Sequence, residues 1–233
     1  MDKTTPNHIG IIMDGNRRFA KRLMIQPWRG HEWGAEKVRS MMEWIKNSNI
    51  KELTLYTLSL DNFNRPKKEF DMLMEIFKKE LSNEEFKKDI QENNIKINVI
   101  GNIKLLPEDI QELLKKTINT TKNNKSFTMN LAIAYSGRQE ITDAVKDITE
   151  QAIDKKIKIK DINPETINKK LSITNAPDMI IRTGGEKRMS DFLTWQSVYS
   201  ELFFIDTLWP EFTEDEFNDC IDEFSKRKRR FGK

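Results

Sequence analysis

Two short polar stretches hold most of the residues in this sequence whose types and spacing suit chemistry. Arg182-Thr183-Gly184-Gly185-Glu186-Lys187-Arg188-Met189-Ser190 sets two arginines around a Gly-Gly pair and closes on a serine. Glycines reach backbone angles closed to other residues, so the chain can turn sharply and present amides at close range. Arg182 and Arg188 can each fork onto phosphate oxygens through charge-assisted hydrogen bonds, and the Ser190 hydroxyl adds a donor. Near the N-terminus, Asp14-Gly15-Asn16-Arg17-Arg18 offers a carboxylate, a turn and two more cations. A carboxylate beside an anion site makes sense with a bridging Mg²⁺, which prefers hard oxygen ligands and substrate phosphates. Taken singly, each stretch is also an ordinary strand-end turn, and Asp-Gly-Asn forms Asx turns readily.

Further polar groups lie between these two. His31 follows Gly30 at the start of a helical stretch, where a neutral imidazole can donate to phosphate; a lone histidine is otherwise a structural or solvated residue. Ser59, Asp61 and Asn62 supply polar atoms just ahead of Arg65-Pro66, in a segment that also reads as a plain polar loop.

Hydrophobic spacing gives the elements that must position these residues. Strands are expected at His8–Met13, Glu52–Leu58, Ile95–Ile100, Phe127–Ala134, Asp178–Ile181 and Leu202–Ile205. Helical spacing runs over 32–48, from Phe70 on to Glu92, from Pro107 to Thr121 and over 138–154, and Thr213 caps a last helix. Alternation of this kind predicts an α/β fold with a central, mainly parallel six-stranded sheet flanked by helices. No repeat or linker divides the chain, so residues 1–233 are expected to form a single domain. Ligands of such sheets bind at the carboxyl ends of strands. The polar stretches after the first, second and fifth strands all sit there, and that convergence is the structural argument for a site.

Composition narrows the class. The chain has 233 residues, 37% hydrophobic and 33% charged, which fits a soluble globular protein. One cysteine, Cys220, excludes an internal disulfide and a cysteine-based metal knuckle. No apolar run approaches the roughly 18 residues needed to span a bilayer, the N-terminus lacks a signal-peptide core, and a cytoplasmic protein is expected. The formal charge of +3 is too small to indicate nucleic acid as a partner.

Together the motifs resemble a known family. Met13-Asp14-Gly15-Asn16-x-Arg18, Gly30-His31, Ser59-x-x-Asn62-Phe63-Asn64-Arg65-Pro66, Tyr135-x-Gly137-Arg138 and Arg182-Thr183-Gly184-Gly185-Glu186 match, in order, the cis-prenyltransferases. Trp195-Gln196, Tyr199, Glu201-Leu202-Phe203 and Trp209-Pro210 extend the likeness, which runs from His8 to Gly232. The family includes bacterial undecaprenyl diphosphate synthase. The resemblance implies a homodimeric enzyme that condenses isopentenyl diphosphate with an allylic diphosphate, farnesyl or geranylgeranyl, in repeated cis additions. It implies that Asp14 is essential and binds Mg²⁺ with the allylic diphosphate. Gly15, Asn16, Arg17 and Arg18 then form the allylic-phosphate loop, with Phe19 where tryptophan is usual, and His31 binds phosphate. Ser59, Asp61, Phe63 and Arg65 are placed against substrate, Arg182, Arg188 and Ser190 at isopentenyl diphosphate, and Glu201 as a second carboxylate for Mg²⁺. Asn62 matches an asparagine that assists deprotonation. A neutral amide is a poor base, so the expectation is that Asn62 orients a group while the released diphosphate takes the proton.

The lipid product requires an apolar channel between sheet and helices. Met41, Met42, Trp44, Ile45, Met72, Leu73, Met74, Ile76 and Phe77, on helices near 35–47 and 69–81, are the candidate wall or else ordinary core. Departures from the family pattern point to an archaeal-type member: Leu60-Asp61 replaces Ser/Thr-Glu, Arg17 and Ser136 replace glycines, and Pro27 stands where bacterial members carry a phosphate-binding arginine, with Arg29 as the available substitute. The basic tail at 226–232 is open to three readings: a solvated helix end, peripheral membrane contact, or, through Arg230-Phe231-Gly232, a motif reaching the partner subunit's phosphate site. Three rival functions are a non-catalytic scaffold subunit, a nucleotide-binding protein and a trans-prenyltransferase. The chain retains the motifs that scaffold partners lack, and it carries neither nucleotide fingerprints nor D-D-x-x-D boxes.

Overall fold

The computed structural model describes residues 5–46 and 48–229. Six strands, β1 (His8–Ile12), β2 (Glu52–Ser59), β3 (Ile95–Ile100), β4 (Phe127–Tyr135), β5 (Met179–Arg182) and β6 (Glu201–Phe204), form one sheet in the order β3-β4-β2-β1-β5-β6. All the strand pairings are parallel. β1 is buried along its whole length, as a central strand covered on both faces must be. Its last residue, Ile12, lies opposite Tyr56 of β2 and Arg182 of β5. The chain leaves β1 to one side for β2 and later returns on the other side as β5. The crevice between β1 and β5 is therefore the topological switch point, where open α/β sheets bind ligands.

The helices are α1 (Asn16–Arg22), α2 (Pro27–Lys46), α3 (Lys67–Ser82), α4 (Glu84–Glu92), α5 (Glu108–Thr121), α6 (Gly137–Ile153), α7 (Pro164–Asn168) and α8 (Glu214–Lys226). The larger core packs Leu53, Leu55, Met41 and Leu114 with Phe217 and Phe224. A smaller one on the other face gathers Ile180, Tyr135 and Phe192.

Four local differences from the sequence expectation have clear causes. The stretch read as a turn after Asp14 becomes α1, entered through Gly15 at φ 116°. α2 starts at Pro27, five residues earlier than expected, because proline's fixed φ suits a first helical turn. The long helix expected to reach Glu92 breaks at Asn83, whose side chain accepts the Phe86 N–H (3.0 Å) and caps α4. Met41, Met42, Ile45 and Met74 belong to the buried core, and Trp44 packs on Phe212 and Phe217. Of the candidate channel wall, Leu73, Ile76 and Phe77 line a cavity, joined from α2 by Gly34, Ala35, Val38 and Arg39.

Candidate active site

Asp14 stands at the mouth of the β1–β5 crevice, and its backbone is fixed before its carboxylate is used. The Asp14 carbonyl accepts from the Trp209 N–H (3.0 Å) and from the Thr183 hydroxyl (2.8 Å). Trp209 is itself locked, since its buried indole Nε1 donates to the Gly34 carbonyl of α2 (2.8 Å). The Asp14 carboxylate then accepts from Arg182 Nη2 on Oδ2 (2.7 Å) and lies 3.2 Å from Arg18 Nη2 on Oδ1.

Arg182 ends β5 and is only 4% exposed. Its Nη1 donates to the Ser190 hydroxyl (2.7 Å) and to the Arg188 carbonyl (2.5 Å), while its buried Nε has no acceptor among the described residues. Ser190 and Asp191 adopt φ 48° and 64°, a left-handed turn that folds the serine back onto the arginine. Asp191 in turn bonds Ser136, Thr194 and the Arg138 N–H, so the Tyr135-x-Gly137-Arg138 motif braces this turn.

The Gly-Gly pair does something other than cradle an anion. Gly184 and Gly185 donate their N–H groups to the carbonyls of Thr207 and Ile205, both at 2.8 Å. Their value is φ of 85° and 76°, together with room: a Cβ on Gly184 would lie 2.5 Å from Arg18 Nη2.

A second cationic group forms on the other side of Asp14. Arg65 Nη1 donates to Glu69 Oε1 (3.0 Å) and to His31 Nε2 (3.3 Å), and Arg17 Nε lies 3.5 Å from the same Glu69 oxygen. Burial, then the charges of Arg65 and Arg17, push the His31 pKa down to about 3. The ring is therefore neutral, with Nε2 accepting and Nδ1–H left as a donor. Glu69, 8% exposed, was not legible as a site residue; a glutamate four residues after an arginine in a charged run looks like a solvated helix pair.

These groups border two adjoining cavities. The first, about 460 Å³, is lined by Asp14, Asn16, His31, Ser59, Asp61, Asn62, Arg65, Arg182, Arg188 and Ser190 at one end and by the apolar α2–α3 wall at the other. The second, about 560 Å³, is lined by Asp14, Gly15, Arg17, Arg18, Lys21, Pro27, His31 and Arg65. Pro27 borders this wall, whereas Arg29 is exposed and outside it, so the structure does not bring Arg29 in as the substitute arginine. Phe19 is buried and tilts against Trp33, and Phe63 packs on Phe70; both stand behind the walls.

Glu201 is not brought to the site within this chain. It opens β6 opposite Met179, at the amino end of the sheet, and pairs with Arg227 (2.9 Å). Spacing alone could not show this, because a residue three positions along a strand from the site end lies about 10 Å away. Arg230-Phe231-Gly232 lies outside the described residues.

Asn62 ends up with a defined polarity. The Ser59 N–H donates to its Oδ1 (3.2 Å), which leaves the Nδ2 amide, a donor, as its remaining polar group.

An open parallel α/β sheet with arginines, a carboxylate and a deep apolar cavity at its switch point defines an enzyme site for substrates with anionic heads and hydrocarbon bodies. Comparison with known proteins makes this specific. Residues 12–232 match the prenyltransferase family described as "Putative undecaprenyl diphosphate synthase". The chain belongs to this family and is a chain-elongating, cis-type prenyltransferase. It is 43% identical over 230 residues to the tritrans,polycis-undecaprenyl-diphosphate synthase (geranylgeranyl-diphosphate specific) of Pyrococcus abyssi, covering 98% of this chain and 87% of that one. The protein of the same description from Methanocaldococcus jannaschii is 45% identical over 232 residues, covering 98% and 83%. Among solved structures, lavandulyl diphosphate synthase from Lavandula x intermedia, in complex with dimethylallyl diphosphate, superposes with a TM-score of 0.95 at 33% identity, covering 100% of both chains. A probable undecaprenyl diphosphate synthase from Campylobacter jejuni gives 0.82 at 32% identity, covering 99% of this chain and 100% of that one.

Proposed function

We propose that this chain extends geranylgeranyl diphosphate with isopentenyl diphosphate, in cis steps, to a long-chain polyprenyl diphosphate. The observation that carries this reading is one continuous cavity with Asp14 and Arg182 at its head and an apolar α2–α3 wall behind them. The choice of primer is supported by the archaeal relatives, whose descriptions specify geranylgeranyl diphosphate.

Two diphosphates must sit side by side, and unit charges 4 Å apart repel by about 4 kcal/mol at an effective dielectric near 20. Two cationic groups answer this. Arg17, Arg18 and Arg65, with the neutral His31 as a donor, hold the allylic diphosphate. Arg182, Arg188 and Ser190 hold isopentenyl diphosphate, and Arg182 Nε, which has no acceptor among the described residues, is a donor suited to a phosphate oxygen. Binding both substrates makes the attack effectively intramolecular. As the allylic C–O bond breaks, arginines already held by Asp14 and Glu69 stabilise the departing charge without reorganising. Asn62 presents a donor and so orients phosphate rather than accepting the proton; the released diphosphate takes it.

Mg²⁺ fits this site. Asp14 is 29% exposed and keeps acceptor capacity beyond its two arginine contacts, and Mg²⁺ is usually held by one or two carboxylates plus substrate phosphates. Asp14 would hold the ion, which supplies positive charge to the leaving diphosphate. A homodimer completes the reading. It is supported by Val145 and Ile153 of α6 and by Val198, all exposed apolar side chains, as is contact with a membrane surface by the lipid nature of the product. Among the described residues no helix is long and apolar enough to cross a membrane.

The test is incorporation of labelled isopentenyl diphosphate with Mg²⁺ and geranyl, farnesyl or geranylgeranyl diphosphate. Long products with geranylgeranyl diphosphate as the best primer are expected. Failure with all three by folded protein would favour the scaffold reading.

A further inference from the structure

Three exposed apolar side chains meet at the corner where α1 turns into α2. Met24 is 94% exposed, Trp33 49% and Leu23 44%. Leu23 follows Phe19 by one turn on the same face of α1, and the Phe19 ring tilts against Trp33 at 5.1 Å. The corner is built rather than loose. The Met24 N–H donates to the Lys21 carbonyl (3.1 Å) and the Ile25 N–H to the Ala20 carbonyl (3.0 Å). These bonds hold Met24 at φ 54°, a left-handed conformation that costs free energy for any residue with a long side chain. So exposed a side chain gains almost no packing within the fold in return.

Positive charge collects at the same corner. Residues 17–37 carry six lysines and arginines against two glutamates, a local excess larger than the +3 of the whole chain. Arg17 and Arg18 line the phosphate cavity, and Arg22 pairs with Glu211. Lys21 and Arg29 are exposed and form no ion pair among the described residues. Lys68, at the start of α3, lies 5.4 Å from the centre of the Trp28 ring and extends the cationic rim. Lys21, Ile25 and Pro27 also border the second cavity together with Asp14 and Arg18, so the corner is the lip of that cavity.

Projecting apolar tips with a tryptophan and cations beside them suit the surface of an anionic bilayer. Indole rings sit at headgroup level there, and lysines and arginines meet the lipid phosphates. A convex tip gives a protein partner no groove to fill, whereas it inserts readily among acyl chains. Resting on the proposed lipid product, we infer that the α1–α2 corner docks this protein on an anionic lipid surface. Leu23, Met24 and Trp33 insert, and Lys21 and Arg29 lie at the headgroups. Docked in this way, the lip of the phosphate cavity faces the bilayer. Primer and product, both with hydrocarbon bodies, then pass between membrane and site without crossing bulk water.

The experiment sediments the full chain, without substrate, with vesicles of equal parts phosphatidylcholine and phosphatidylglycerol, or of phosphatidylcholine alone. Wild type is expected to bind the anionic vesicles at least about tenfold more tightly than the neutral ones. Leu23→Ser/Met24→Asn/Trp33→Gln is expected to lose about tenfold of that binding, and Met24→Asn alone about threefold. Asparagine tolerates the left-handed backbone, so the single variant carries the test should circular dichroism show the triple one misfolded. Ile159→Ser removes a highly exposed apolar side chain elsewhere and is expected to bind as wild type does. Undiminished binding by folded corner variants would overturn the inference, as would a loss in Ile159→Ser equal to that in Met24→Asn. Wild type that binds no vesicles, or binds both kinds equally, would overturn it too. So would a triple variant whose oligomeric state changes without vesicles, since the corner would then join two copies of the chain. Wild type that binds anionic vesicles but incorporates no isopentenyl diphosphate overturns the underlying reaction instead, so the two failures are distinguishable.

Discussion

Arg182 Nη2 meets Asp14 Oδ2 at 2.7 Å, closing the β1–β5 crevice with a nearly buried guanidinium and a carboxylate that still reaches solvent. Arg182 is desolvated and needs Asp14, Ser190 and the Arg188 carbonyl as partners, while Asp14 retains acceptor capacity on its open side. On the proposed reading, this one contact holds the arginine for isopentenyl diphosphate and aims the carboxylate at the allylic diphosphate.

Replacing Arg182 by lysine keeps the charge but loses the fork that spans Asp14 and Ser190. We expect kcat/KM for isopentenyl diphosphate to fall by about 10²–10³-fold, the cost typical of removing one preorganised donor from a site of developing charge. A melt should show about 2 kcal/mol of lost stability, in the range for hydrogen bonds to charged groups. Steady-state kinetics beside a thermal melt checks both.

Glu69 pairs with Arg65 and Arg17, which on the proposed reading hold the allylic diphosphate. Glu69→Gln is expected to raise KM for the allylic primer about tenfold, a loss near 1.4 kcal/mol, with a smaller effect on KM for isopentenyl diphosphate. Glu69→Asp should recover part of it. Equal changes in both KM values would count against a role confined to the allylic side.

α1 rests on α2 through two glycines. A Cβ on Gly30 would come within 2.0 Å of the Asn16 carbonyl oxygen, and one on Gly34 within 2.5 Å of Asn16 Oδ1. Backbone cannot yield as a side chain can, so Gly30→Ala is expected to cost more than the ~1–3 kcal/mol usual for overpacking, and Gly34→Ala about that amount. Chemical denaturation of the two variants orders them.

His31 has a folded pKa of about 3 against 6.5 when unfolded, because burial and two arginines disfavour its charged form. Between those values the unfolded chain binds the extra proton, so stability falls as pH drops from 6.5 towards 3, by up to about 1.4 kcal/mol per unit. The buried His8, whose pKa is also lowered by burial, adds to the same loss. His31→Gln should flatten the acid side of a Tm–pH curve relative to wild type. An unaltered slope would contradict a neutral, half-buried imidazole.

Strand periodicity and the polar strand ends were sufficient to place Asp14, Asn62, Arg65, Arg182 and Ser190 around one cavity. Short-range pattern failed where tertiary contact decides. α1 is seven residues long and mostly polar or charged, so it shows no apolar stripe, and what makes it a helix is packing on Gly30 and Gly34. Glu69 reads as surface charge until Arg65 and Arg17 close over it. Glu201 sat in a matching motif, yet register puts it at the far end of the sheet. Met41 and Met42 have the spacing of a channel wall and instead fill the core, because the α2 face toward the cavity is the small one, Gly34, Ala35 and Val38.

The most direct measurement is the rate of labelled isopentenyl diphosphate incorporation with geranylgeranyl diphosphate and Mg²⁺, wild type against Asp14→Ala. The predicted result is long-chain polyprenyl product from wild type and a loss of at least about 10²-fold in the variant, with the fold retained by circular dichroism. Incorporation by Asp14→Ala at the wild-type rate would contradict the placement of the reaction at the β1–β5 crevice.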